Sequence, residues 1–406
     1  MKIFRFFIKR IFLRRWMLSI SMILLLFAAN YLTFTVARSL SSTYQGYQEM
    51  RNMDQDGTFI ANLDPDSDPR FDEITLEKIQ EVYDYLSNNY TYALYADGFI
   101  VSLPNDDDIE ISLNYINRES YVLNQFELSD GSGLYFDYEL NENEIPVLIG
   151  KGLSRKYPVG STIEISDPVL ERSIVLKVQG VLKQNAYHSN FYALNSKTYY
   201  NFSIFIPVNE DFLRQSNIDL YVNALMDIAV LQSTREETAN LSEYIQNTLG
   251  LKFNFFSQEE NYEYFMDYYV SSLKIIVIIA LVLLVIIIGL SIWNALVNIR
   301  LMLRDFTINL LTGLSYSRLK NVLFGYFGIL FFINLIAIII ITAYNRYLFW
   351  LNKDTLFVTY GLFGLIGIDW IALVSVVLSD IVIGIVIVES MVGRIKKIPI
   401  SLGVLQ

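Results

Sequence analysis

The feature that most constrains this chain is a set of long stretches without charged side chains. Residues 16–37, 275–299 and 321–345 contain no Asp, Glu, Lys or Arg. At ~1.5 Å of rise per residue, a helix over the shortest of them is ~33 Å long, enough to cross a ~30 Å hydrocarbon layer. We therefore predict transmembrane helices over residues 17–38, 271–299 and 321–345.

A fourth apolar stretch, residues 355–388, is interrupted by two aspartates. A single helix of this length would be ~50 Å long, which exceeds the thickness of the hydrocarbon layer. We divide it near Gly367, because glycine and threonine recur before that point. This division predicts an outer loop or interfacial segment over residues 346–367 and a fourth span over residues 368–388.

Basic side chains give these spans a direction. The first 37 residues hold six Lys or Arg and no acid, and further basic residues lie in residues 300–320 and after residue 388. Because basic flanks stay in the cytoplasm, we predict a multi-pass cell-membrane protein with both termini cytoplasmic. A cleaved signal peptide is the alternative for the first span, but the apolar run is longer than an ordinary signal core.

Two cytoplasmic segments are predicted at the ends of the chain. Residues 1–16 place apolar side chains at helical spacing among cations, which is typical of an amphipathic helix on an anionic inner leaflet. The apolar residues are Phe4, Phe7, Ile8, Ile11 and Phe12. Residues 389–406 are predicted to be a basic cytoplasmic tail, and the lipid bilayer is the first expected partner.

Residues 39–270 differ in composition and predict an extracytoplasmic domain. Residues 38–270 carry 15 basic and 37 acidic side chains. Helices are expected over residues 71–87 and 234–249. Strands are expected over residues 99–103, 109–113, 146–149, 162–165, 174–181 and 202–207. The predicted fold class is a membrane protein with four transmembrane α-helices and a mixed α+β domain inserted between helices 1 and 2. The acidic excess attracts cationic ligands, although acids also keep an exposed domain soluble.

The composition removes several kinds of site. The sequence has no cysteine and one histidine, His188, so disulfides, thiolate metal sites and clusters of histidine ligands are excluded. The acids at residues 106–108 lack the ligand spacing of an EF-hand. We predict no catalytic residue, no metal site, no cofactor on this chain and no nucleic-acid partner.

Asn30, Asn334 and Asp380 are polar side chains deep inside three of the predicted spans. By residue count each lies ~12 to 20 Å from the cytoplasmic end of its helix, so they are predicted to share one polar layer. Asparagines often join helices, whereas an intramembrane carboxylate often marks a relay or a switch. Both interpretations stay open from the sequence.

The segment between spans two and three has the pattern of a bent helix pair. Residues 300–311 alternate cations with apolar residues at helical spacing, Gly313 is predicted to end the helix, and Ser315 to cap the next one. Such a pair can insert into the groove of a partner protein. A helix on the inner leaflet is the alternative.

Three stretches, together with the order of the spans, resemble the MacB/FtsX-like permeases. Residues 145–182 are similar to a strand, turn and strand of that family's external core. Residues 304–318 look like its cytoplasmic R-x-E segment, with Asp305 where Glu is usual, and residues 394–402 resemble its basic ending. The family's proline before that ending is replaced near Ser390, and its closing Leu-Arg is degraded.

The resemblance implies an ABC transporter permease that works with a separate ATPase subunit and a second permease copy or homologue. This chain contains no G-x-x-x-x-G-K-[ST] motif, so ATP and Mg²⁺ are expected on the ATPase and this chain is not expected to be an enzyme. The residues expected to contact the ATPase are Arg304, Asp305, Phe306, Leu310, Gly313, Leu314 and Ser315.

The expected function is mechanotransmission that exports, or confers resistance to, a peptide or amphiphile, with recognition of a peptide or adaptor protein outside the cell. The alternative is an FtsX-like signalling subunit that activates an external cell-wall hydrolase or sensor. The molecule that co-purifies with the external domain distinguishes the two. A composition rich in Ile, Asn and Tyr and free of cysteine favours a low-GC Gram-positive bacterium.

Overall fold

The computed structural model describes residues 2–12, 14, 16–52, 55–67, 69–103, 109–140, 144–190, 193–264, 267 and 271–397. The chain forms two compact units. The membrane unit comprises Met1–Ser42, Ser271–Asn345 and Leu365–Gln406. The α/β unit comprises Thr43–Val270 and Arg346–Gly364.

The helices and strands follow one another along the chain in the order given by their numbers. The helices are α1 (Lys2–Phe7), α2 (Trp16–Asn52), α3 (Leu76–Asn89), α4 (Arg118–Asn124), α5 (Glu210–Gln215), α6 (Ile218–Met226), α7 (Arg235–Leu249), α8 (Gln258–Tyr264), α9 (Ser271–Leu311), α10 (Tyr316–Leu351) and α11 (Gly367–Lys396). The strands are β1 (Phe59–Leu63), β2 (Thr91–Ala93), β3 (Tyr95–Ser102), β4 (Glu110–Ile116), β5 (Leu128–Gly131), β6 (Ile145–Ile149), β7 (Thr162–Asp167), β8 (Arg172–Leu182), β9 (Tyr187–Asn190), β10 (Ala193–Tyr199), β11 (Ser203–Pro207), β12 (Ala229–Leu231) and β13 (Phe253–Ser257).

Four helices, α2, α9, α10 and α11, are long and apolar enough to cross a membrane. The predicted fold class, four such helices with a mixed α/β domain between the first and the second, is confirmed. The helices are longer than the uncharged runs, and the 41 residues of α9 span ~62 Å. Backbone hydrogen bonding continues into the charged flanks, because a helix needs no apolar side chains once it leaves the lipid.

The core of the membrane unit includes the N-terminal segment. Over residues 2–12, that segment consists of α1 followed by a π-helical turn, Ile8–Phe12. Phe7, Ile11 and Phe12 are buried among side chains of the long helices. The apolar face predicted to lie on the leaflet is therefore largely packed against protein.

Helix α11 starts where the sequence divides the last apolar stretch. Its first-turn Asp369 is fully buried, accepts a hydrogen bond from the backbone N–H of Ile366 at 3.0 Å, and forms an ion pair with Arg38 at 2.7 Å. A buried carboxylate is tolerated here because a helix N-terminus and a guanidinium both neutralise it.

The segment before α11 packs on the α/β unit. The backbone N–H of Tyr360 donates to the side-chain oxygen of Asn185 at 2.8 Å, and the Asn185 amide donates back to the carbonyl of Tyr360 at 2.7 Å. Asn201 donates to the carbonyl of Val358 at 3.0 Å. The backbone groups of Val358 and Tyr360 therefore have protein partners, and the outer loop or interfacial segment over residues 346–367 stays a prediction.

The smaller sheet of the α/β unit has the strand order β13-β1-β12-β2, and all its pairs are antiparallel. Helix α3 joins β1 to β2, and α7 joins β12 to β13. This is the order of a β-α-β-β-α-β, or ferredoxin-like, unit. Thr234 begins α7 with a capping box, and Gly250 ends it in the left-handed conformation.

The larger sheet lies between β2 and β12 in sequence. Its order is β3-β4-β11-β6-β8-β5, with β7 also paired to β8. Strands β9 and β10 form a separate hairpin. The six strands expected from the sequence correspond to β3, β4, β6, β7, β8 and β11, whereas the strands of the smaller sheet and the hairpin have no clear sequence signal.

Candidate functional site

The segment between α9 and α10 forms a tight turn between two long helices. Helix α9 ends at Leu311, and Gly313 has a φ of 98°, a left-handed conformation that favours glycine. The hydroxyl of Ser315 accepts a hydrogen bond from the backbone N–H of Arg318 at 3.3 Å, so Ser315 caps α10. The turn has the position and the chemistry that the sequence predicts.

The residues expected to contact an ATPase do not share one environment. Arg304, Gly313 and Ser315 are exposed, and Asp305, Leu310 and Leu314 are half-buried. Phe306 is fully buried. These six residues are accessible to a partner protein to different degrees, whereas the side chain of Phe306 is not accessible.

Phe306 is covered by the N-terminal segment. Its ring stacks on Phe7 with centroids 6.0 Å apart and lies 6.4 Å from the ring of Phe12. Phe12 in turn stacks on Tyr326 of α10 at 3.9 Å. The buried face of the segment is therefore tied to α1 and to α10, an arrangement that the sequence did not reveal.

The exposed face of α9 carries an apolar stripe. Leu301, Ile308 and Leu311 are 46%, 42% and 59% exposed, and Arg304 lies between them at helical spacing. On the other side of the helix, Phe306 and its neighbours form the core. This two-sided pattern explains why the sequence shows apolar residues all round this part of α9.

Two of the three polar residues predicted inside the spans are in contact. The Asn30 amide donates to the Asp380 carboxylate at 3.1 Å, and both side chains are buried. Asn334 is also buried, and its amide nitrogen has no hydrogen-bond partner among the described residues. The layer therefore contains one observed link, between α2 and α11.

A second polar group, which the sequence analysis missed, joins α2 to its neighbours. Asn294 of α9 donates to the hydroxyl of Ser21 at 2.6 Å, and the hydroxyl of Tyr326 of α10 donates to that of Ser19 at 2.9 Å. Small hydroxyl residues facing Asn or Tyr on another helix are the only sequence signal for such links. These bonds connect α2 to α9 and to α10.

No metal site is evident in the part of the chain that the structure describes, where no three His, Asp or Glu side chains gather as ligands. The acids at residues 106–108 lie outside the described residues, as do residues 398–406 of the basic tail.

No family model matches the chain, and no curated protein matches it. Among solved structures, the extracellular domain of the noncanonic ABC-type transporter YknZ from Gram-positive bacteria aligns with 49% of this chain and all of that domain, at 15% identity and a TM-score of 0.32. A domain assigned to a permease protein of Porphyromonas gingivalis aligns with 50% of this chain and 90% of its own length, at 13% identity and a TM-score of 0.30. These likenesses are distant, so the function proposed below rests on the residues of this chain.

Proposed function

We propose that this chain is the membrane-spanning permease subunit of an ABC-type transporter. A separate cytoplasmic ATPase binds the turn between α9 and α10, and a second permease copy or homologue completes the complex. Its α/β unit lies outside the cell and recognises a peptide or amphiphile, which the complex exports or resists by mechanotransmission. The observation that carries this proposal is the two-sided helix at residues 300–311.

A helix that receives force needs one face for the partner and another joined firmly to what it moves. The exposed stripe of Leu301, Ile308 and Leu311 offers apolar contact, and Arg304 adds a charge for orientation. Phe306 on the opposite face packs against the N-terminal segment. A push on the stripe is therefore passed to a packed core rather than lost in a flexible loop.

The long helices are suited to carry such a push. None of the eight prolines of the sequence lies in α2, α9, α10 or α11, and proline is a common cause of sharp kinks. Along the chain, β1 follows α2 and β13 precedes α9, and these two strands pair over five residues, from Phe59 to Leu63. Relative movement of α2 and α9 would thus act on adjacent strands of one sheet.

A charge reversal on the stripe tests the proposal. The chain is co-expressed with a candidate ABC ATPase subunit, and the complex is assayed for co-purification and for ATP hydrolysis. Arg304→Glu should reduce both about tenfold, because reversing a charge at an interface costs more than removing it. Lys274→Glu is the matched control, since it makes the same charge change in the first turn of the same helix.

Equal co-purification and hydrolysis for Arg304→Glu and the parent chain would reject the coupling role. If the complex of permease and ATPase forms but co-purifies with a cell-wall hydrolase and not with a peptide or amphiphile, the result would favour signalling over export. The ATPase assay and the identity of the bound molecule therefore test separate parts of the proposal.

A further inference from the structure

A cavity of about 530 Å³ lies within the α/β unit. Its walls come from strands β1, β2 and β12 of the smaller sheet, β3 of the larger sheet, helix α4 and the β9–β10 hairpin. This volume falls within the range of small-molecule sites. The function proposed above assigns no residue of this cavity.

Two acidic residues, Asp97 and Asp227, line the cavity. Asp97 lies on β3 two residues after Tyr95, which also lines the cavity, while Ala96 between them points into the core. The pairing of β3 with β4 is interrupted immediately afterwards, and Gly98 has a φ of 81°. Bulges of this kind commonly redirect side chains beside binding sites.

Neither acid is neutralised by the protein. Among the residues that the structure describes, neither Asp97 nor Asp227 forms an ion pair, and the one hydrogen bond to the carboxylate of Asp97 is a 3.4 Å contact from the hydroxyl of Tyr95. Burial raises the pKa of Asp227, the charge of Asp97 raises it further, and His188 partly offsets the rise. Two close carboxylates without a counter-ion favour a cationic ligand.

The basic side chains of the cavity are engaged elsewhere. Lys197 is 6% exposed, donates to the hydroxyl of Ser189 at 2.9 Å, and lies 4.1 Å from the centre of the Tyr187 ring. The Nδ1 atom of His188 lies 2.8 Å from a carboxylate oxygen of Glu49. Lys197 is therefore held within the hairpin, and His188 is held by Glu49 of α2. The two acids are more accessible to a ligand than these two basic groups.

Apolar groups complete the walls. Leu123 of α4 is buried, and Ile60, Ala93 and Phe357 present further hydrocarbon surface. A hydrated metal ion would gain nothing from such walls, and two carboxylates are fewer than a calcium ion normally requires. A positive group on an aliphatic stem matches both parts of the lining, because the stem buries apolar area while its head meets the acids.

We propose that this cavity binds a primary ammonium group on an aliphatic stem, with Asp97 and Asp227 as its anionic partners. The ammonium comes from a free diamine or from a lysine side chain of a peptide. The role of this site in substrate recognition rests on the function proposed above, whereas binding itself does not require the ATPase.

The test is calorimetric titration of the full chain in lipid nanodiscs, without the ATPase. The probes are 1,5-diaminopentane and a short peptide with one lysine, and 1-pentanol is the uncharged control for the stem. Binding should weaken as salt rises, and Asp97→Asn or Asp227→Asn should each lower the affinity about tenfold. Asp84→Asn is the matched control, because it removes one charge from an exposed position on α3 outside the cavity.

Tighter binding of the diamine identifies a free amine as the source, and tighter binding of the peptide identifies a lysine side chain; either result supports the site. Equal affinities of the parent chain, Asp97→Asn and Asp227→Asn would overturn it. So would binding of pentanol as tight as that of the diamine, or displacement of the diamine by Ca²⁺ at micromolar concentration. The binding test contains no ATPase, so its result does not depend on whether the chain is an ABC permease. Likewise, a chain that does not bind these probes can still couple to an ATPase.

Discussion

Replacing Phe306 and Ile308 separately by alanine should divide stability from coupling. The two residues are two positions apart on α9 and therefore lie on opposite sides of the helix. Phe306 is fully buried against Phe7 and Phe12, whereas Ile308 is 42% exposed. We expect Phe306→Ala to destabilise the membrane unit and Ile308→Ala to weaken the ATPase contact without destabilising the chain.

The magnitudes follow from burial. Truncation of a buried phenylalanine to alanine costs about 3–5 kcal/mol, because it removes apolar surface that folding had buried and leaves a cavity. Ile308→Ala removes surface that is partly in water, so its effect on the free energy of unfolding should stay within about 0.5 kcal/mol. The stacked pair of Phe306 and Phe7 should contribute a coupling free energy of about 0.5–1.5 kcal/mol in a double-mutant cycle.

Both variants and the cycle can be measured on the same preparations. Unfolding is followed by denaturant titration in mixed micelles, and coupling by ATP hydrolysis with the ATPase present. An Ile308→Ala chain that is as unstable as Phe306→Ala would show that the exposed stripe is packed in solution. Additive effects of Phe7→Ala and Phe306→Ala would refute the contact between the N-terminal segment and α9.

Two further outcomes are expected. Tyr115→Phe removes the 2.8 Å hydrogen bond to buried Asp167, whose pKa is raised chiefly by desolvation, and should cost about 1.5–3 kcal/mol at pH 7 but less near pH 3. The sign follows because the hydrogen bond from Tyr115 lowers the pKa of Asp167, so it stabilises the ionised carboxylate more than the protonated acid that prevails near pH 3. An equal loss at both pH values, in denaturant titrations, would contradict it. Asn30→Leu removes the described donor to Asp380 and should lower the free energy of unfolding in micelles by about 0.6–2 kcal/mol. The double variant Asn30→Leu with Asp380→Leu should recover stability, because neither polar group of the pair is then left unpaired. A double variant no more stable than Asn30→Leu alone would remove the role of this pair in joining α2 to α11.

The parts of the fold that could be predicted are those with local causes. Spans are recognised because each helix satisfies its own backbone and must match the lipid with its own side chains. The turn at Gly313 and Ser315 was also predictable, because a left-handed glycine and a capping hydroxyl act on neighbouring residues. The smaller sheet was not, since β1 pairs with β13 almost two hundred residues later and β12 has three residues.

The candidate sites show the same division. The amphipathic pattern of α1 was visible in the sequence. However, a membrane leaflet and an apolar protein surface both favour the same apolar side chains, and only the structure shows that Phe7 packs against Phe306. Residue count placed Asn30 and Asp380 at a similar depth, yet depth does not fix the rotation of a helix.

The sequence by itself therefore determined which four segments form long apolar helices and where the turn between α9 and α10 lies, because those choices depend on side chains within a few residues of each other. Tertiary structure alone decided which face of α9 is buried, which polar residues meet across α2 and α11, and that Asp97 and Asp227 face one cavity. Each of these depends on contacts between residues far apart in the chain, for which the pattern of one helix or strand carries no information.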